Sequence, residues 1–139
     1  MREILFRGKP LGNLHGKFIY GSLGVIDTDL CAIYHCFEFN DDEMQLVDIG
    51  TVGQYTGLTD KNGKKIFEGD IIKQINSYDK LEMTGFVRFS KSSQFVISHT
   101  YTEKENCYKR GKKKAFAIKT NCEIIGNIYD NPELLEVEE

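Results

Sequence analysis

Among the 139 residues, the cysteines Cys31, Cys36, Cys107 and Cys122 and the histidines His15, His35 and His99 have the types that nucleophilic or metal chemistry would use. A thiolate nucleophile needs a base in reach, and no local signature pairs one of these cysteines with one of these histidines. On a strand, Cys31 and His35 would share a face and Cys36 would lie on the other. Structural zinc usually takes two closely spaced ligand pairs, whereas this sequence has one Cys-x₄-Cys pair and no second. The expectation is four reduced, buried thiols that behave as small hydrophobes, with no metal and no cofactor.

Glu68 and Asp70 are two apart and would share a strand face, as a general acid and base would. Gly69 between them argues instead for a turn in which Asp70 caps backbone N–H groups. Gly57 and Gly63 enclose five residues rather than the four of a phosphate-binding loop, and Lys64 is followed by Lys65 rather than Ser or Thr. The Asp60-Lys61-Asn62-Gly63 run has its glycine fourth, where a calcium loop has it sixth. No catalytic residue is expected, and the protein reads as a non-enzyme. Lys109, Arg110, Lys112, Lys113 and Lys114 put five positive charges into six residues, close to Tyr101 and Tyr108. Such a loop could track a nucleic-acid backbone while an aromatic ring stacks a base. The alternative, favoured about two to one, is a solvated loop neutralised by the acidic tail Glu133, Glu136, Glu138 and Glu139.

The elements that must position these groups read as strands. Aromatic and β-branched clusters recur between glycine-rich turns, with 13 Gly and only 2 Pro. Residues 3–7, 17–20, 30–39, 46–49, 55–59, 64–67, 71–75, 83–89, 94–99 and 115–119 form the expected set, and a strand from Glu123 leads to a turn that Pro132 could convert to one helical turn. Asn62-Gly63 predicts a tight type I′ hairpin turn. Asn62, Gly63, Gly69 and Asp70 are therefore turn-structural residues.

Length bounds the answer to one domain or two small lobes. A protein of this mass buries roughly 68% of its unfolded surface, enough for a core without disulfides. With 18 basic and 21 acidic residues the net charge is −3, so no single-sign field marks the whole protein for nucleic acid or membrane. Charge divides unevenly, net −4 over residues 1–52 and +1 over 53–139, which supports two lobes. The first residues lack the apolar run of a signal peptide, and no stretch approaches the ~20 residues of a membrane span. No membrane association is expected.

Several segments resemble the YopX family of bacteriophage and prophage proteins. They are Met1-Arg2-Glu3-Ile4 with Phe6-Arg7, Gly16 to Gly21, Thr51 to Leu58, Asp60 to Ile72, and Ile125 to Leu135, which together span nearly the whole chain in order. Family members often carry Trp where this protein has Phe18. The resemblance implies a mostly β fold of no established activity, and supplies no catalytic residues. The expected architecture is all-β: an N-terminal β segment, residues 1–50, packed on an SH3-like small barrel over 51–139. The expected role is a phage accessory protein in the cytoplasm of the bacterial host that binds an unidentified phage or host protein or associates with itself. Self-association is expected because the N-terminal segment has too few strands to close its own sheet.

Overall fold

A computed structural model describes residues 3–34, 44–75, 82–89, 94–98, 115–119 and 121–135. The protein is all-β, and no α-helix occurs among the described residues. The described residues form eleven strands in order: β1 Phe6–Gly8, β2 Ile19–Asp27, β3 Leu30–Tyr34, β4 Met44–Val47, β5 Gly53–Thr59, β6 Lys65–Phe67, β7 Asp70–Ile75, β8 Glu82–Phe89, β9 Phe95–Ser98, β10 Ala115–Ala117 and β11 Glu123–Asn127. Contacts divide the protein into two compact units, Met1–Gly57 and Leu58–Glu139. Strand β5 runs through that division.

The first unit is organised by β2, which pairs with β1 over Ile19–Gly21 and with β3 from Ser22 onward. Glycine is required where the strand changes partner, because a Cβ on Gly21 would stand 2.0 Å from the Tyr34 carbonyl oxygen. A Cβ on Gly24 would likewise meet the Tyr34 ring at 2.4 Å, so the aromatic ring covers a strand position that has no side chain of its own. Antiparallel pairing of β3 with β4 continues the sheet, and β1 pairs with β5 on its other side. The residues after β1 then reach the far edge of β4. Pro10 bridges Val47, the Leu11 N–H donates to the Leu46 carbonyl, and the Asp48 N–H donates to the Lys9 carbonyl. The sheet thus curls until the backbone leaving β1 covers the edge of β4. The expectation was a segment with too few strands to close its own sheet; a bend after Gly8 instead brings the backbone leaving β1, a central strand, onto the edge of β4 and covers that edge. Gly8 packs so tightly on Val47 that a Cβ would lie 3.0 Å from the valine Cβ. Ile19, Cys31, Ile33 and Val47 form the core, with Phe6, Leu23 and Val52 packed against it.

In the second unit the strand order is β10-β9-β8-β7-β11, an antiparallel meander whose last strand returns beside its first. Ile66, Ile72, Val87, Ile97 and Cys122 form its core. Ile66, Ile72 and Ile97 are completely buried, each contributing about 1.5–3 kcal/mol by transfer from water. The pleat explains the pattern in β8, where Gly85 and Val87 are buried and their neighbours less so. Gln74, buried in β7, links strands that are not sheet neighbours: its amide NH₂ donates to the Ala117 carbonyl at 3.0 Å and its oxygen accepts from the Lys119 N–H at 3.0 Å. One side-chain amide in this way replaces a pair of ladder bonds.

Candidate functional site

Strand alternation separates the two faces of β1. Phe6 packs on the core and Gly8 on Val47, so Arg7 and Lys9 are carried on the opposite face. Arg7 lies opposite Tyr20 in the register with β2. Both cations nevertheless are buried, Arg7 to 4% exposure and Lys9 to 1%. Phe18 is what they share: the Arg7 guanidinium carbon is 3.9 Å from its ring centroid and the Lys9 ammonium nitrogen 4.3 Å. The Lys9 ammonium also donates to the Gly16 carbonyl at 2.6 Å, which ties down the loop between β1 and β2. Its backbone N–H donates to the Thr51 hydroxyl at 2.8 Å. A cation over an aromatic face is worth about 0.5–2 kcal/mol, rising as water is excluded. Beside this stack stands Tyr20, 6.3 Å from Phe18 between ring centroids and 46% exposed. The result is a surface tyrosine beside two buried cations that share a half-buried aromatic ring.

A second polar cluster lies in the other unit. Asp60 is 5% exposed, and its carboxylate accepts three backbone N–H groups: Oδ1 takes Asn62 and Lys64, both at 2.9 Å, and Oδ2 takes Ile124 at 3.1 Å. Burial pushes its pKa up, but the N–H bonds from Ile124, Lys64 and Asn62, together with the Lys64 charge, outweigh burial and hold it below the ordinary carboxylate value. The Lys61 N–H adds a bond to the Cys122 carbonyl at 2.9 Å. The loop after β5 is thereby stitched to the start of β11, more than sixty residues further along.

The residues singled out by sequence fall as follows. Asn62 and Gly63 occupy the loop held by Asp60. The bonds Gly63 N–H to Asp60 carbonyl, 3.0 Å, and Asp60 N–H to Lys64 carbonyl, 2.8 Å, close a three-residue loop rather than the expected two-residue type I′ turn. Gly63 alone then needs the left-handed region, at φ 81°. The Asp60 carboxylate is the physical reason, since it favours the loop that presents two N–H groups to it. Gly69 is left-handed at φ 91°, and Asp70 accepts the Phe67 N–H at 2.8 Å, closing the turn between β6 and β7. Glu68 is half-buried in that turn.

Cys31 and Cys122 lie in the two separate cores, while His15 is in an exposed loop. Burial raises the pKa of both thiols, with Asp48 adding to the effect at Cys31 and Asp60 at Cys122. His35, Cys36, His99, Cys107, Lys109, Arg110, Lys112, Lys113 and Lys114 lie outside the described residues. Sequence reasoning did not single out Asp60 as an anchor, or Arg7, Lys9 and Phe18. The alternation of Arg7 and Lys9 across one strand face was the available signal.

The sequence profile of the YopX family, described as YopX protein, matches residues 23–136. The chain belongs to the YopX family. No curated protein matches it. Among solved structures it is similar to protein EF1440 from Enterococcus faecalis, at 19% identity and a TM-score of 0.55, over 98% of this chain and 100% of that one. At that identity the likeness is one of fold.

Proposed function

We propose that this is a phage- or prophage-encoded accessory protein of the host cytoplasm that works by binding a protein partner or a second copy of itself, and not by catalysis. The observation that carries this reading is Tyr20, an exposed aromatic beside the Arg7–Phe18–Lys9 stack. Tyrosine offers a large contact area with few rotatable bonds, so it loses little entropy on binding and suits the centre of an interface. The SH3-like barrel reading of residues 51–139 belongs here too. It is supported by the meander whose last strand returns beside its first, and by the Gln74 clamp between β7 and the backbone leaving β10.

The test compares the full-length protein with Tyr20→Ala, by light scattering at micromolar concentration and by capture from lysate of a prophage-bearing host. The expected result is a mass above that of one copy, 15.9 kDa, or a retained partner, in either case lost in Tyr20→Ala. A monomer mass together with capture that Tyr20→Ala leaves unchanged would overturn the reading. The second reading is a nucleic-acid-binding module, favoured by the five charges of Lys109, Arg110, Lys112, Lys113 and Lys114.

A further inference from the structure

Of the eight asparagines in the sequence, Asn62 is the one followed by glycine. Both residues are exposed, and nothing lies within 4 Å of the position a Gly63 Cβ would take, so the tip of the loop is uncrowded. Asn62 uses its backbone N–H on Asp60, while its side-chain amide makes no hydrogen bond among the described residues. That amide is therefore free to turn toward the following nitrogen. Opposing the approach is the closed loop: the Gly63 N–H donates to the Asp60 carbonyl, and the Asp60 carboxylate grips the N–H groups on either side, at Asn62 and Lys64.

We propose that Asn62 is a site of spontaneous deamidation, gated by Asp60. The Gly63 backbone nitrogen, losing its proton to solvent base, attacks the Asn62 Cγ. A new bond between that nitrogen and Cγ closes a five-membered succinimide, the bond from Cγ to Nδ2 breaks, and the amide nitrogen leaves as ammonia. Water then adds across the ring and opens it to aspartate or isoaspartate. No oxidant or reductant is needed. The attack requires the Gly63 N–H to give up its bond to the Asp60 carbonyl, so the rate follows the fraction of time the loop is open. The product puts a second carboxylate two residues from Asp60, and isoaspartate adds a backbone atom to the loop that Asp60 holds. Conversion therefore weakens the tie between this loop and β11 and raises the negative charge of the protein by one.

The test follows isoaspartate and the amide-to-acid mass change, peptide by peptide, in the full-length protein incubated in mildly alkaline buffer. Three samples are compared: folded wild type, folded Asp60→Ala, and wild type unfolded in guanidinium chloride. Conversion at Asn62 ahead of the other seven asparagines is expected in all three, slowest in folded wild type, faster in Asp60→Ala, and fastest unfolded. If Asp60→Ala does not fold, the comparison of folded with unfolded wild type decides alone. Equal rates in those two samples would refute the gate. Conversion at any other asparagine ahead of Asn62 would refute the site.

Discussion

Removing the Asp60 carboxylate should cost the second unit more stability than any other single polar change in that unit. Asp60→Ala deletes three acceptor interactions. Asn62 and Lys64 are exposed, so water takes over their N–H groups and each loss costs about 0.5–1.5 kcal/mol. The Ile124 N–H is half-buried, and leaving it without an acceptor costs about 1–3 kcal/mol. Relief from burying a charge offsets part of this, which leaves about 3 kcal/mol for Asp60→Ala. Asp60→Asn keeps one oxygen for the loop but turns an NH₂ toward the Ile124 N–H, for about 2 kcal/mol by the same bookkeeping. On a domain of this size 3 kcal/mol lowers Tm by roughly 12–24 °C. The sign with pH follows from the lowered pKa of Asp60. The unfolded protein, with its carboxyl near ~3.9, binds the proton first on acidification. The contribution is therefore complete at neutral pH and is lost as pH falls through the lower folded value. Urea unfolding of wild type and Asp60→Asn across an acid series should show the gap narrowing toward low pH. A gap under about 0.5 kcal/mol at neutral pH, the usual surface background, or one that does not change with pH, would refute the three-bond account.

Phe18→Leu keeps an apolar side chain but removes the ring that Arg7 and Lys9 contact; it should destabilise the first unit by about 1–3 kcal/mol, read by chemical denaturation. Gly63→Val forces a β-branched residue to φ 81° and should cost about 1–3 kcal/mol, whereas unchanged thermal stability would disprove the loop geometry. Cys31 and Cys122, their pKa values raised by burial, should resist thiol reagents until the protein unfolds. Because folding holds these thiol protons more tightly, stability should fall as pH rises past ~8.5, where the unfolded thiols ionise. If Lys109, Arg110, Lys112, Lys113 and Lys114 neutralise phosphates, binding should fall with salt at a log–log slope of about −3.5 to −4.5, flattened when all five become Ser; no salt-dependent binding would leave the protein-partner reading alone.

The all-β class was legible because β-branched and aromatic runs between glycines are local signals: the expected strands 55–59, 71–75 and 83–89 lie inside observed elements, and those expected from Leu30 and Glu123 start where β3 and β11 start. The Asn62-Gly63 turn was legible for the same reason: a residue needing φ 81° must be glycine or nearly so. The second half of β2 was not, for the expected strand ended at Tyr20 whereas β2 runs to Asp27. Only the packing of Tyr34 against Gly21 and Gly24 shows why a strand needs glycine there. Local pattern also marked Asp60 as part of a turn and Arg7 as a strand residue. What made them central was decided by tertiary structure. Asp60 meets Ile124 at a separation of 64 residues, and Arg7 and Lys9 are buried because a later residue, Phe18, comes to lie against both. Periodicity records which face of a strand a side chain leaves from; what covers that face depends on residues brought in from elsewhere, and no local pattern carries that information.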